Sequence, residues 1–375
     1  MGMRVVAALI ALLVLAGPGR ADELSDLNEQ ILRDPQNVEL NLRYARLAEQ
    51  KGDLRKALAA YERVTVNTPT NEEAQRGFRR VSRKLQPNVT RVTAEMGVGW
   101  ESNPARDPNH GVSDWLMLGR LDVKDERRLG ELHWRSTANA TIEAYRSQGS
   151  DLNYAALNGL TGPMTDLTPK IALHTGLGLG VAWFGEHPLH QEAVAGFTVE
   201  SGFWDGTQTG RLRLGFRQYG DFYGGANGLY VDLSERFGFP DVLQKGDVVV
   251  AMPWIRWSGI EGSPLFVPME ETQPGRYWEL GVRGEYLRPI VSWMMAGASM
   301  SISYRRYSDP TILDDGTDVL RRDWLFIPAL TVIFPNVIKQ ATDLRLDYKY
   351  ENNHSNVDFD KYTDHQITTS MVFRF

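Results

Sequence analysis

His365-Gln366-Ile367-Thr368-Thr369-Ser370-Met371-Val372-Phe373-Arg374-Phe375 ends the chain. Ile367, Thr369, Met371, Phe373 and Phe375 fall on one side of an extended backbone, and Gln366, Thr368, Ser370 and Arg374 on the other. Side chains two apart lie on the same side of a strand, so this stretch is a strand with one apolar and one polar face. Such a strand belongs either to a soluble sheet that buries its apolar face or to a sheet whose apolar face meets lipid. The rest of the chain decides between them.

The N-terminus favours lipid. Arg4 precedes a nearly unbroken apolar run over residues 5–16, and Gly17-Pro18-Gly19-Arg20-Ala21 follows. A basic start, a core too short to span a bilayer and a small-residue exit predict a signal peptide over residues 1–21. The sequence has no cysteine, which excludes a lipidated N-terminus and disulfides alike. No other run approaches the ~18 apolar residues of a membrane helix. A barrel needs none, because its strands are half polar. The 35 Gly, 10 Trp and 14 Tyr suit a chain of strands and turns. A formal charge of −6 carries no nucleic-acid signature.

Residues 22–86 read differently. They are rich in Ala, Leu, Glu and Arg, carry Gly only at Gly52 and Gly77, and show helical apolar spacing. Asp34-Pro35-Gln36-Asn37 recurs as Thr68-Pro69-Thr70-Asn71, with the prolines 34 residues apart. Between them Tyr44, Ala45, Gly52, Ala57 and Tyr61 sit where the tetratricopeptide repeat places its packing residues, and Pro69 ends the second helix. The spacing predicts helices near 24–33, 38–50, 54–67 and 71–85, in a repeat unit or a plain antiparallel helical hairpin. Such units hold no catalytic chemistry and present a surface to another protein. Arg76, Arg79, Arg80, Arg83 and Lys84 on the last helix read as a solvated face, or as a basic stripe facing lipid phosphates or an acidic client.

From residue 88 onward alternating segments recur. Strands are expected near 89–101, 113–125, 130–146, 153–163, 169–185, 190–204, 208–220, 228–238, 246–259, 275–288, 291–307, 321–335, 341–352 and 364–375, an even number of about fourteen. Links at 126–129, 205–207, 289–290 and 336–340 read as short, while those at 103–112, 221–227, 260–274, 308–320 and 353–363 are mostly long and polar. A barrel with short turns on its periplasmic side and long loops outside explains that alternation, which a soluble β-sandwich does not. The expected fold is thus a transmembrane antiparallel β-barrel over 88–375 behind a short all-α segment. A terminal Phe on such a strand resembles the closing strand of bacterial outer-membrane barrels. The resemblance implies that Phe375 serves the barrel assembly machinery.

With the apolar side outward, the lumen collects about a dozen charges of each sign, which predicts cross-strand ion pairing more than a field of one sign. Lumen candidates are Arg211, Arg213 and Arg217, the one local run of like charge, and Asp343, Arg345, Asp347 and Lys349 on the thirteenth strand. The arginine run could meet an anionic solute, but pairing with Asp232 on the neighbouring strand is the plainer reading. His187, His190 and Glu192 lack a further metal ligand and read as a polar outer loop. Asp309, Asp314, Asp315 and Asp318 around Gly316 do not match the spacing of a calcium loop. No cofactor, metal site or catalytic constellation is expected.

Two loops flank the seam where first and last strands must meet. Glu101, Ser102 and Asn103 follow the first strand, and Asn353, Ser355, Asn356 and Asp358 follow the thirteenth. Their short polar side chains favour local turns. With the signal peptide, the short repeat segment and about fourteen strands, these motifs resemble the surface lipoprotein assembly modifier (Slam) proteins. That resemblance implies an export channel moving a protein or lipoprotein client to the surface, its helical segment periplasmic. The plan is also similar to exopolysaccharide export porins, which carry more repeats. A passive porin is the third expectation. The implied partners are outer-membrane lipid, the assembly machinery and a client or polymer.

Overall fold

The structure is a computed structural model that describes residues 23–68, 71–85, 88–109, 111–129, 132–168, 171–203, 206–262, 272–313, 315–338 and 341–375. The expected leader and Pro69 lie outside the described residues. The chain divides into two compact units, Met1–Pro87 and Asn88–Phe375.

The first unit is helical: α1 (Glu23–Arg33), α2 (Val38–Gln50), α3 (Leu54–Asn67) and α4 (Glu72–Leu85). Asn37 caps α2 by accepting from the Leu40 N–H at 3.1 Å, and Asn71 accepts from the Ala74 N–H at 2.9 Å. Tyr44, Ala45, Ala57 and Tyr61 are buried in one core with Leu24, Leu27, Ile31, Leu42 and Val64. Gly52 lies between α2 and α3 at a φ of +80°, the left-handed conformation that ends a helix and that glycine adopts without strain. Gly77 answers a different need. A Cβ there would stand 2.3 Å from the Tyr61 ring, so only glycine lets α4 lie flat on that tyrosine. Buried Asn41 fixes the entry to α2, its amide donating to Pro35 O and Asn37 O while its oxygen accepts from Arg63.

The second unit is a closed barrel in which each strand pairs with its sequence neighbours and β1 pairs with β14. Its strands are β1 (Val89–Glu101), β2 (Asp114–Leu129), β3 (Leu132–Tyr145), β4 (Tyr154–Thr168), β5 (Ile171–Phe184), β6 (His187–Phe203), β7 (Gly206–Tyr219), β8 (Asn227–Pro240), β9 (Val248–Ile260), β10 (Gly275–Val291), β11 (Met294–Ile312), β12 (Asp318–Phe334), β13 (Thr342–Ser355) and β14 (Tyr362–Arg374). All pairings are antiparallel, and the backbone of Phe375 exchanges two hydrogen bonds with Val92 to complete the closing seam. The links that follow odd-numbered strands gather at one end. The others, with both barrel termini, gather at the opposite end.

The faces settle what surrounds it. Met117, Leu121, Ile142, Leu157, Leu177, Leu179, Leu229 and Leu280 stand exposed on the outside, a continuous apolar surface that no soluble monomer leaves to water. Trp115, Trp183, Trp278 and Trp324 are exposed near the long-loop end. Trp293 stacks on Phe334 near the other, their rings 6.0 Å apart, and Phe375 is 78% exposed. Two aromatic girdles around an apolar band, with every strand edge closed, mark a barrel that spans an outer membrane.

Several expected links move. Residues 126–129 belong to β2, and 289–290 lie within β10, which turns instead at Ser292-Trp293. Residues 308–312 extend β11 and 353–355 extend β13. Polar residues at strand ends carry pairing beyond the apolar band, where alternation no longer marks it. His187, His190 and Glu192 are not an outer loop. They lie in β6, which starts after the two-residue turn Gly185-Glu186.

Candidate functional site

The polar faces of the strands meet inside the barrel. Arg213, Asp232, Arg256, Glu279, Arg305 and Asp323 occupy directly opposed positions on β7 to β12, so charge alternates in sign from strand to strand. Arg256 donates through Nε to Asp232 at 2.7 Å and through Nη1 to Glu279 at 2.8 Å. Arg305 Nε donates to the other oxygen of Glu279 at 2.8 Å, and Trp254 Nε1 reaches the same carboxylate at 2.7 Å. Arg321 grips Asp323 on its own strand at 2.9 Å. Aromatic rings back these guanidinium groups: Tyr277 lies 4.4 Å from that of Arg305 and Tyr307 lies 4.8 Å from that of Arg321.

The arginine run on β7 does not pair with Asp232, which Arg256 holds. Arg213 and Arg217 turn to the other neighbouring strand and share Glu192, at 3.1 and 2.9 Å, with Tyr230 Oη donating to it at 2.8 Å. Glu192 sits directly opposite Arg217 in the sheet. Arg211 is left over: it is exposed to the lumen and makes no ion pair among the described residues. Nearer the short-turn end, Arg135 on β3 reaches Glu200 on β6 through Nη1 and Nη2 at 2.8 and 3.0 Å, and Glu126 through Nε at 2.8 Å. On β13, Asp343 takes Arg374 at 2.7 Å, Arg345 takes Asp347 at 2.6 Å, and Lys349 lies 3.4 Å from Glu351. These four therefore do not converge with the arginine run. Only Lys349 lines the larger cavity that Arg211 also lines.

At the seam the two Asn/Ser loops are held by specific contacts. Asp364 accepts from Ser102 Oγ at 3.0 Å and from the Asn103 N–H at 2.8 Å, while Ser102 Oγ accepts from the His365 N–H at 2.7 Å. Arg106, at a φ of 53°, points into the mouth and donates to both oxygens of Glu351 at 3.1 and 3.2 Å. Tyr362 Oη donates to Glu351 at 2.6 Å, and Tyr145 Oη to Glu101 at 2.7 Å. Burial alone would lower the Arg106 pKa, but the Glu351 charge overrides it and holds the value well above the ordinary one. Asn353 donates to Asp360 O, Ser355 Oγ accepts from the Val357 N–H, and Asn356 pairs with the backbone of β12 at Leu320 and Arg322. Asp360, between β13 and β14, is pushed up to about 6 by burial, against the pull of Arg321 at 2.7 Å. Asp358 faces water and pairs only with Lys361 among the described residues.

Among the described residues, two cavities open inside the barrel. One of about 530 Å³ lies along β7 to β13 beneath Arg106, and one of about 490 Å³ lies along β1 to β7; Arg211 lines both. The long link after β9 turns its far end inward, where Thr272 O accepts from Arg217 at 2.6 Å and Gln273 O from Ser258 Oγ at 3.2 Å. Residues 263–271 of that link lie outside the described residues. Among the described residues no three His, Asp or Glu side chains converge as a metal site.

Arg106, Asp360 and Asp364, which organise the seam, were not singled out from the sequence, nor were Arg256, Arg321 and Asp323 in the lumen. Parity would have found the strand residues, because Arg256 and Asp323 stand an even number of positions from other inward groups. Nothing marks Arg106, a loop residue whose direction its backbone decides.

No family model matches the chain, and no curated protein does. Among solved structures the chain is similar to the outer-membrane protein OpdK of Pseudomonas aeruginosa, solved with vanillate, at 11% identity and a TM-score of 0.36, covering 76% of this chain and 99% of that one. It is similar to the outer-membrane channel DcaP of Acinetobacter baumannii at 10% identity and a TM-score of 0.43, covering 77% and 97%. A loop-deletion form of the outer-membrane protein OmpT of Vibrio cholerae gives 6% identity and a TM-score of 0.42, covering 77% and 99%.

Proposed function

We propose that the barrel is a non-enzymatic outer-membrane channel for small polar solutes, with the helical unit on the periplasmic side. The observation that carries this reading is the lumen itself. Its charges are paired across and along strands, and they leave cavities of about 530 and 490 Å³, the scale of a small molecule rather than of a polypeptide. A mouth lined by fixed, hydrogen-bonded side chains suits a filter that stays in place while solutes pass. Purified full-length protein in a planar bilayer should give steady single-channel steps. A barrel that remains closed under all voltages would sink the reading.

The second reading is the Slam-like one, with a lipoprotein or other protein client opening the barrel, or an exported polysaccharide as cargo. It is favoured by the α1–α4 unit, whose buried core of Tyr44, Ala45, Ala57 and Tyr61 matches the packing expected of a partner-binding repeat. Deleting residues 22–86 separates the two. An unchanged conductance fits the solute channel. A barrel that carries cargo only when the helical unit is present fits export.

A further inference from the structure

We infer that the channel prefers anions, with Arg211 as the central contact for small solutes bearing a carboxylate or phosphate; this rests on the channel reading above. Around the two cavities the charges pair but do not cancel. Seven basic and four acidic side chains line the larger cavity, and five basic and three acidic line the smaller. In the larger one every acid is already engaged: Asp232 by Arg256, Glu279 by Arg256 and Arg305, Asp323 by Arg321, and Glu351 by Arg106. Of the surplus bases, Lys349 shares Glu351 with Arg106, which leaves Arg211 and Arg283 as the ones best placed to act on a passing ion. Arg211 has no ion pair among the described residues and borders both spaces, so a solute moving between them passes it. Arg283 lines the larger cavity, and among the described residues Glu285, at 3.4 Å, is its only ionic partner and its buried Nε has no hydrogen-bond partner. In the smaller cavity Asp122 is the acid without an ion pair among the described residues, but Arg91 and Arg211 outnumber it.

The chemistry follows from the guanidinium group. Its planar fork donates in pairs to carboxylate or phosphate oxygens, and its charge does not titrate. Low-dielectric walls focus the excess positive potential into the lumen, which raises the local anion concentration. Ser234, Ser301 and Ser303 line the same cavity and offer hydroxyl donors to the remaining oxygens.

The test is the reversal potential of the full-length channel under a potassium chloride gradient. The chloride-to-potassium permeability ratio should exceed one by on the order of threefold, and Arg211→Glu should lower it at least about twofold. Arg146→Glu, at an exposed position outside the lumen, should leave it unmoved. Succinate in one arm and inorganic phosphate in another should each reduce the chloride current, and the stronger blocker names the preferred head group. A ratio at or below one, a ratio indifferent to Arg211→Glu, or no block by either anion overturns the inference while leaving the channel reading intact. Absence of current overturns the channel reading itself. Arg211 makes no ion pair among the described residues, so Arg211→Gln should assemble normally and give an intermediate ratio.

Discussion

Glu351→Gln tests whether the mouth of the barrel is held by charge or only by packing. The side chains of Arg106 and Glu351 are 4% and 7% exposed, so the pair is a buried one. Removing one partner of a buried pair typically costs about 3–5 kcal/mol, because the other charge is left without compensation. Glutamine keeps an oxygen for Tyr362 or Arg106, which puts the expected cost at the low end, about 3 kcal/mol. The barrel need not bear that cost globally. Arg106 lies on the β1–β2 link and escapes into water once that link lifts, so the loss should appear as local opening. About 3 kcal/mol multiplies the open population by roughly 10². Trypsin reads this directly, since the Arg106–Asp107 bond is sheltered in the closed form and cleavable in the open one. Cleavage there should speed up by about 10² when opening is fast relative to proteolysis, while cleavage after exposed Arg146 stays constant. A rate within about threefold of the parent's would refute the reasoning and leave packing of the link as the true restraint.

Gly77→Ala should drive a methyl group into the Tyr61 ring and destabilise the helical unit by about 1–3 kcal/mol, seen as a lower melting point in the helical circular dichroism band while the barrel stays folded. The same unit should weaken in acid. Arg80 and then Lys84 hold Glu49 at a pKa of about 2, against 4.5 for the free side chain. The folded pKa is the lower one, so the stabilisation is fully present above about pH 4.5 and is lost as pH falls toward 2. Arg80 and Lys84 are half exposed, and solvent screening trims the contribution to about 1–2 kcal/mol. Glu49→Gln should flatten that pH dependence, and a variant melting in parallel with the parent at every pH would count against the cluster. Deleting Phe375 removes two backbone hydrogen bonds to Val92 and an exposed aromatic ring at the girdle, and the fraction of protein recovered as folded barrel should fall.

All fourteen strands were legible because one face of each meets lipid, which enforces alternation along nearly its whole length. What failed were the ends. Ser292-Trp293 makes a turn without glycine, proline or asparagine, and Pro289-Ile290 just before it carried a false turn signal. In β6 the buried His190 and Glu192 fell at the start of the strand expected from residue 190 and were still read with His187 as an outer loop. The lumen was legible as a balance of charges but not as a set of pairs. Arginine is long enough to reach either neighbouring strand, so Arg213 could face Asp232 in the sheet and still bind Glu192. The seam was legible as two similar loops. The lock between them depends on Arg106, whose inward path is a property of the closed barrel and of no local pattern.

The charge alternation on β7 to β12 also bears on how such a barrel comes to be closed correctly. A one-residue slip between neighbouring strands would turn carboxylates and guanidinium groups toward lipid, which the membrane forbids. A slip of two residues keeps the faces right, and against that error apolar alternation is no protection. The lumen charges are. Shifted by two, Glu279 faces Ser303 or Tyr307 instead of Arg305, and Arg305 meets either Leu325 or the like charge of Arg321. The ladder thus works as a checksum on strand alignment, readable only when neighbouring hairpins are in step.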